Sequence, residues 1–126
     1  MILGVDHAQI TIPIGAEAQA REFYCGVLGL KEIPKPENLK GRGGFWIQLS
    51  NLQIHVGTED GFDRTKTKAH VAYAVADLAA VRELLISRGV EPQDGLPVPG
   101  CHRFECRDPF GNRVEFIQRS INETLG

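Results

Sequence analysis

The sequence predicts an α+β fold built from two copies of one βαβββ module. The strongest sign is a repeat, in which the strand beginning at His70 echoes the strand beginning at His7, 63 residues earlier. A helical pattern follows each of these strands, and Glu115 follows His55 by 60 residues in the same apolar setting. A fixed period of this kind indicates duplicated structural units. We therefore expect each module to open on a histidine-led strand and to close on a strand carrying a metal-ligand residue.

Size and composition place the chain among ordinary globular domains. Its 126 residues suit a single domain, and 42% hydrophobic with 24% charged residues is a globular composition. The net charge of −2 argues against nucleic acid or an anionic membrane as a partner. No apolar stretch approaches the roughly 20 residues of a membrane span. The first residues lack a basic n-region and a long apolar core, so we do not expect them to be a secretory signal. Three cysteines without disulfide-framework or C-x-x-C spacing indicate reduced thiols in a cytoplasmic protein.

Module one is predicted over about residues 4–57, within a single domain spanning 1–126. Its first strand, 5–12, alternates, so that its apolar residues face a core while His7 faces the other way. The helix 17–27 has apolar residues at helical spacing and ends before Gly29, which suits a left-handed cap. The remaining elements are a short strand, a loop with two prolines, and the two strands of a hairpin, placed at 30–33, 34–43, 45–49 and 52–57.

Module two is predicted over about residues 68–119, after a polar linker at 58–67 that lacks hydrophobic periodicity. Asp77 is the expected N-cap of a helix over 78–88. The strands are placed at 68–75, around 90–91, at 101–107 and at 113–118, with a loop at 92–100 and a turn at 108–112. Neither module alone buries the helix-facing surface of its sheet well, so we expect the two to pair into one larger sheet.

Four residues on the key strands are candidate metal ligands. The apolar neighbours of His7, His55 and Glu115 belong to the helix-covered face, so these three side chains point to the opposite face, and His70 follows by the repeat. A single histidine on a strand is more often a core or surface residue, but three of only four histidines fall at repeat-related positions. If a pseudo-twofold axis relates the modules, all four side chains gather in one cleft. Such nitrogen and oxygen ligands suit Fe, Mn, Ni, Co or Zn.

Several strings in the chain are characteristic of one superfamily. They include Asp6-His7, the F-Y-x-x-V-L-G-L string from Phe23 to Leu30, and the D-P-x-G-N-R-x-E string from Asp108 to Glu115. Through them the chain, over residues 4–118, resembles the vicinal oxygen chelate superfamily of glyoxalase I, fosfomycin-resistance proteins, bleomycin-resistance proteins and extradiol dioxygenases. The resemblance implies two paired modules forming a half-open curved sheet around a metal cleft, with the helices on the outer face. It also implies a homodimer, in some members with modules exchanged between chains.

The resemblance implies a small metal-dependent enzyme, a dioxygenase, lyase or isomerase, whose metal chelates two neighbouring oxygens of a small substrate. Glyoxalase I has a glutamate where this chain has His55, which puts lactoylglutathione chemistry in doubt. A set of His7, His70 and Glu115 would suffice in the fosfomycin and dioxygenase branches, leaving His55 as a catalytic acid or base. The alternative function is a ligand-sequestering protein of the bleomycin-resistance type, although that branch generally lacks the ligand set present here.

Trp46, Arg103 and Arg113 are the candidate substrate-binding residues. The arginines can hold an anionic group, and Trp46 can line the cleft. Each also has a simpler interpretation, because the arginines suit an exposed strand face and Trp46 suits the core. The basic loop 34–43 and the loop 92–100 are expected to shape the substrate site. The sequence names neither the substrate nor the metal.

Overall fold

The structure, a computed structural model, describes residues 1–120, and the chain divides into two compact units at residues 62 and 63. The first unit contains a mixed sheet in the order β1-β4-β3-β2, with β1 parallel to β4 and the other pairs antiparallel. Its elements are β1 (His7–Ile12), α1 (Glu17–Arg21) continued by a π-helix (Glu22–Val27), β2 (Lys31–Ile33), a 3-10 helix (Glu37–Arg42), β3 (Phe45–Gln48) and β4 (Gln53–Thr58).

The second unit repeats this order. Its sheet runs β5-β8-β7-β6, again with the first pair parallel and the others antiparallel. The elements are a 3-10 helix (Arg64–Lys66), β5 (His70–Ala74), α2 (Leu78–Ser87), β6 (Gln93–Asp94), β7 (Cys101–Arg107) and β8 (Arg113–Arg119). The predicted α+β fold of two βαβββ modules is therefore confirmed. Residues 121–126 of the predicted domain lie outside the described residues.

One predicted strand is misplaced. The sequence places it around residues 90–91, but β6 lies at Gln93–Asp94, inside the predicted loop. Gly89 ends α2 with a φ of 76°, and the amide of Val90 donates to the carbonyl of Leu85 at 2.9 Å. Since Val90 is still engaged in capping the helix, pairing with β7 begins only when the chain has turned back to the sheet.

An arginine on each helix forms an ion pair and a cation–π contact with the sheet of its module. In module one, Arg21 donates to both carboxylate oxygens of Glu32 on β2, at 2.8 and 3.2 Å, and its guanidinium lies 4.8 Å from the ring centre of Phe45. The counterparts in module two are Arg82, Asp94 and Phe104. The arginines thus cover one face of each sheet through ion pairing and cation–π contact. No helix within residues 1–120 is long and apolar enough to cross a membrane.

The buried core of each module lies on this helix-covered face. In module one it consists of Ile12, Ala20, Phe23, Tyr24, Phe45, Ile47, Ile54 and Val56, and in module two of Tyr73, Leu85, Phe104, Cys106, Val114 and Phe116. Because side chains alternate along a strand, the residues between these positions face away from the helices. His55, between Ile54 and Val56, and Glu115, between Val114 and Phe116, are placed there by this alternation.

Gly44, just before β3, occupies a position that no larger residue fits. Its φ is 76°, and an added Cβ would lie 2.1 Å from the carbonyl oxygen of Val56. Gly29 has a similar φ of 74°, but an added Cβ there meets nothing within 4 Å. We predict that Gly44→Ala lowers the free energy of unfolding by more than about 3 kcal/mol, since backbone must move, whereas Gly29→Ala costs about 1–2 kcal/mol. Urea denaturation of both variants checks this, and equal losses would contradict it.

Candidate functional site

Three aromatic rings stack on the face of module one that points away from α1. The ring of His55 lies 3.8 Å from that of Trp46 at an interplanar angle of 1°, and 4.1 Å from that of His7 at 16°. The register explains the stack, because Trp46 pairs with His55 across β3 and β4, while β1 lies on the other side of β4. His55, at the centre, is buried with 9% of its surface exposed.

A chain of side-chain amides determines which nitrogen of His55 carries hydrogen. The amide nitrogen of Gln48 donates to the backbone carbonyls of Leu49 and Leu52, at 2.6 and 3.3 Å. Its oxygen then accepts from Gln53 at 3.4 Å, and the oxygen of Gln53 faces Nε2 of His55 at 2.9 Å. Since backbone carbonyls only accept, the direction of the whole chain is fixed. Nε2 therefore carries the hydrogen, and the lone pair is on Nδ1.

The charge state of His55 follows from its surroundings. Burial lowers the pKa of His55 and the neighbouring His7 lowers it further, while the carboxylate of Asp6 acts in the opposite direction. A buried imidazole loses hydration that its charged form needs, so the neutral form is favoured. At neutral pH the ring is therefore available to accept a proton or a cation at Nδ1.

His7 is oriented by its sequence neighbour. Its Nδ1 lies 2.9 Å from Oδ1 of Asp6, and 47% of the His7 side chain is exposed. A carboxylate only accepts, so Nδ1 donates and the lone pair of a neutral ring is on Nε2. Metal-bound histidines typically make such a bond from their other ring nitrogen to a carboxylate or carbonyl.

His70 and Glu115 form the corresponding pair in module two. Nδ1 of His70 lies 2.9 Å from the carbonyl oxygen of Lys68, and its Nε2 lies 2.9 Å from Oε1 of Glu115. The carbonyl requires a hydrogen on Nδ1, so a neutral His70 directs its lone pair at an oxygen that is itself an acceptor. Two facing acceptors need a proton or a metal cation. The Glu115 side chain is only 8% exposed, and that of His70 is 30% exposed.

Two arginines lie near this pair, Arg103 on β7 and Arg113 on β8. Nη1 of Arg103 is 3.4 Å from Oε1 of Glu115, and its Nη2 donates to the carbonyl of Leu96 at 3.2 Å. Nε of Arg113 donates to Oε2 of Glu105 at 2.5 Å. Glu105 and Glu115 are directly opposite across β7 and β8, so each of the two facing carboxylates has its own arginine. Such pairing offsets the repulsion between like charges in a sheet.

The structure thus brings the predicted site residues together as two groups. Module one joins His7, His55 and Trp46, and module two joins His70, Glu115 and Arg103, with Arg113 held by Glu105. Over residues 1–120, neither module alone gathers three His, Cys, Asp or Glu side chains that could hold a metal ion.

The groups that orient the histidines were not predicted from the sequence. Asp6 directly precedes His7, and Gln53 lies on the same face of its strand as His55. Their orienting role could have been inferred from those positions. The carbonyl of Lys68 belongs to the backbone, so no side chain marks its role.

The family model of the Glyoxalase/Bleomycin resistance protein/Dioxygenase superfamily matches residues 4–116. The chain belongs to this superfamily. The superfamily resemblance seen in the sequence is therefore confirmed. A glyoxalase family protein from Bacillus anthracis is 43% identical to this glyoxalase-superfamily chain, with a TM-score of 0.89 over 95% of this chain and 98% of that one.

More distant superfamily structures share the fold. An integron cassette protein of V. cholerae is 20% identical, with a TM-score of 0.73 over 95% of this chain and 98% of its own. A variant of the fosfomycin resistance protein FosX from Listeria monocytogenes is 17% identical, with a TM-score of 0.79 over 99% and 98% of the two chains. That FosX structure is a complex with Mn(II) and 1S,2S-dihydroxypropylphosphonic acid. Among curated proteins, none matches this chain significantly in sequence.

The lowered pKa of His55 predicts a specific pH dependence of stability in metal-free protein. Folding disfavours the charged ring. The contribution of His55 to the free energy of unfolding is therefore complete above its unfolded pKa of about 6.5 and is lost as the pH falls towards the folded pKa. When the pH is lowered from about 7.5 to about 5, we expect the free energy of unfolding to fall less in His55→Gln than in wild type. Urea denaturation at the two pH values measures both losses. A larger loss in the variant would contradict the sign.

Proposed function

We propose that this protein is a small metal-dependent enzyme of the glyoxalase/dioxygenase type, with His7, His70 and Glu115 as ligands of a divalent cation. The observation that carries the proposal is the His70–Glu115 pair, in which a ring nitrogen and a carboxylate oxygen lie 2.9 Å apart while a backbone carbonyl holds the other nitrogen. Two histidines and one carboxylate are also the ligands of non-haem iron sites with open positions. Fe, Mn, Ni, Co and Zn are the candidate ions.

The donor atoms fit a cation in both modules. Nδ1 of His7 and Nδ1 of His70 each donate to an oxygen acceptor, so the lone pair of each neutral ring is on Nε2, which in His70 lies 2.9 Å from Oε1 of Glu115. Metal ligands must be deprotonated, and a cation at the His70–Glu115 pair would replace the proton that the two acceptors otherwise share. Superfamily membership supports the same assignment, and Mn(II) is bound by FosX, which shares the fold.

His55 fits the role of acid or base better than that of a fourth ligand. Metal–nitrogen bonds are about 2.0–2.1 Å long and lie in the plane of the ring. The rings of His7 and His55, stacked with their centres 4.1 Å apart, hold their lone pairs in two nearly parallel planes, and one ion cannot lie in both planes at bonding distance. We therefore propose that neutral His55 accepts a substrate proton at Nδ1, and the four-ligand set stays a prediction from the sequence.

The substrate is proposed to be a small molecule with two neighbouring oxygens. When bound, the cation supplies Lewis-acid polarisation of those oxygens. Trp46 offers an apolar surface beside His55, and the arginines Arg103 and Arg113 have N–H donors beyond those that hold Glu115 and Glu105. These residues would orient the substrate for proton transfer in a lyase, isomerase or dioxygenase reaction.

A second candidate function is ligand sequestration without metal, as in the bleomycin-resistance branch. The contact that favours it is the 3.4 Å approach of Arg103 to Glu115, which together with a protonated His70 would satisfy the carboxylate in the absence of a cation. Buried ion pairs of this kind also occur for purely structural reasons. Metal affinity separates the two functions.

We also propose that the protein acts in the cytoplasm. Cys25, Cys101 and Cys106 are all free, which suits a reducing compartment. Burial raises the pKa of the Cys106 thiol to about 12, so this residue is a small core side chain and not a nucleophile.

Metal binding should depend on the His70–Glu115 pair. We predict one divalent ion per chain in the purified or reconstituted protein, and a loss of affinity in His70→Ala and Glu115→Gln greater than the roughly 10–100-fold typical of changes outside the ligand set. Glu105→Gln is the matched control, because it removes the same charge from the opposite strand. Elemental analysis and competition with a chelator measure both quantities. Wild type without metal after reconstitution with every candidate ion would overturn the enzyme proposal.

The protein should form a homodimer, which sedimentation at micromolar concentration would show. A mixed preparation of His7→Ala and Glu115→Ala chains then reports how the sites are assembled. After random exchange of chains it should regain about a quarter of the wild-type metal content if each site draws on two chains, because half of the dimers are heterodimers and each heterodimer has one intact site. It should regain none if each site draws on one chain. A monomer in sedimentation would show the dimer proposal to be wrong.

A further inference from the structure

Module one contains a polar pocket beside Trp46 that the proposed metal ligands do not use. Its volume is about 310 Å³, and its walls come from β1, β3, β4 and the 3-10 helix Glu37–Arg42. We call it the anion pocket and define it by Gln9, Lys35, Arg42, Trp46, Gly57 and Thr58. This volume is at the lower end of the range of about 300–1,000 Å³ for small-molecule sites. It is large enough for the charged end of a small metabolite.

The anion pocket opens on the same face of the sheet as His55. Gly57 follows His55 by two residues on β4, so its position faces the same way. An added Cβ on Gly57 would lie 3.2 Å from the side-chain amide of Gln9, which places Gln9 on this face too. Trp46 both stacks on His55 and lines the pocket. A molecule in the pocket therefore lies next to the proposed base.

The charged side chains that line the pocket are both positive, and the nearby carboxylate of Glu17 is held outside the lining, where it accepts from the amide of Gly44 at 3.1 Å. The ammonium of Lys35 donates to the carbonyl of Gly43 at 2.6 Å, which holds it in place and leaves further N–H donors. Arg42 forms no ion pair within residues 1–120, and no carboxylate lines the pocket. Lys40, on the same 3-10 helix, is by contrast paired with Glu37 at 2.7 Å. Two cations at one concave site concentrate anions there.

We propose that the anion pocket binds a carboxylate or phosphoryl group of the substrate, so that the substrate is a small organic anion seated against Trp46. The inference rests on the proposed function and adds the substrate class. Lys35 and Arg42 would donate charge-assisted hydrogen bonds to the anionic oxygens, and Gln9 and Thr58 offer neutral donors. The indole packs against the uncharged part of the same molecule. Carboxylate and phosphoryl oxygens share this chemistry.

Trp46 is the only tryptophan of the chain, so its fluorescence reports on the anion pocket directly. The full chain, freed of metal and of chelator, is titrated with sodium phosphate or sodium benzoate at constant ionic strength, with neutral benzamide as the control. We expect a saturable change with at least one of the two anions and none with benzamide. Tighter phosphate binding assigns a phosphoryl group, and tighter benzoate binding assigns a carboxylate.

Charge variants decide whether the pocket itself binds the anion. Arg42→Gln should weaken binding at least about 10-fold, as expected for a lost charge-assisted hydrogen bond. Lys40→Gln, which removes the same charge from the same 3-10 helix outside the pocket, should keep the wild-type affinity within about twofold. Absence of saturable binding of either anion, or equal losses in the two variants, overturns the inference. Because the titration contains no metal, such a failure is distinct from loss of metal at His70 and Glu115.

Discussion

The chemistry of this protein depends on a simple constraint, which is that carbonyl and carboxylate oxygens can only accept hydrogen bonds. The carbonyl of Lys68 fixes the hydrogen of His70 on Nδ1, and Asp6 does the same for His7. For His55 the hydrogen is fixed indirectly, because two backbone carbonyls orient a glutamine side chain that in turn orients the glutamine bonded to the ring. Each neutral imidazole therefore has its lone pair on a defined nitrogen. Metal binding and proton transfer at these rings both require that arrangement.

The surroundings of Glu115 determine whether the His70–Glu115 pair binds a metal or only stabilises the fold. A buried carboxylate without compensation costs several kcal/mol, so His70 and Arg103 are needed beside it in the absence of a cation. A metal would take over part of this role and release a proton from His70.

The sequence predicted those features of the fold and site that depend on strand periodicity. Alternation of apolar residues placed His55 and Glu115 on the face away from the helices, and the repeat paired His70 with His7. It could not place β6, because the position of that strand depends on how the helix cap at Val90 is completed. Nor could it distinguish Arg42 from Lys40 within one basic loop, since ion pairing depends on the turn that the chain makes there.

The most direct test of the account is the ¹⁵N spectrum of the imidazole of His70, recorded on metal-free protein and again with one equivalent of Zn²⁺. We predict a hydrogen on Nδ1 in both spectra and a resonance of Nε2 that shifts when zinc is added, because the cation replaces the proton between Nε2 and Glu115. A resonance of Nε2 that zinc leaves unchanged would contradict the account. The pair would then be a structural ion pair.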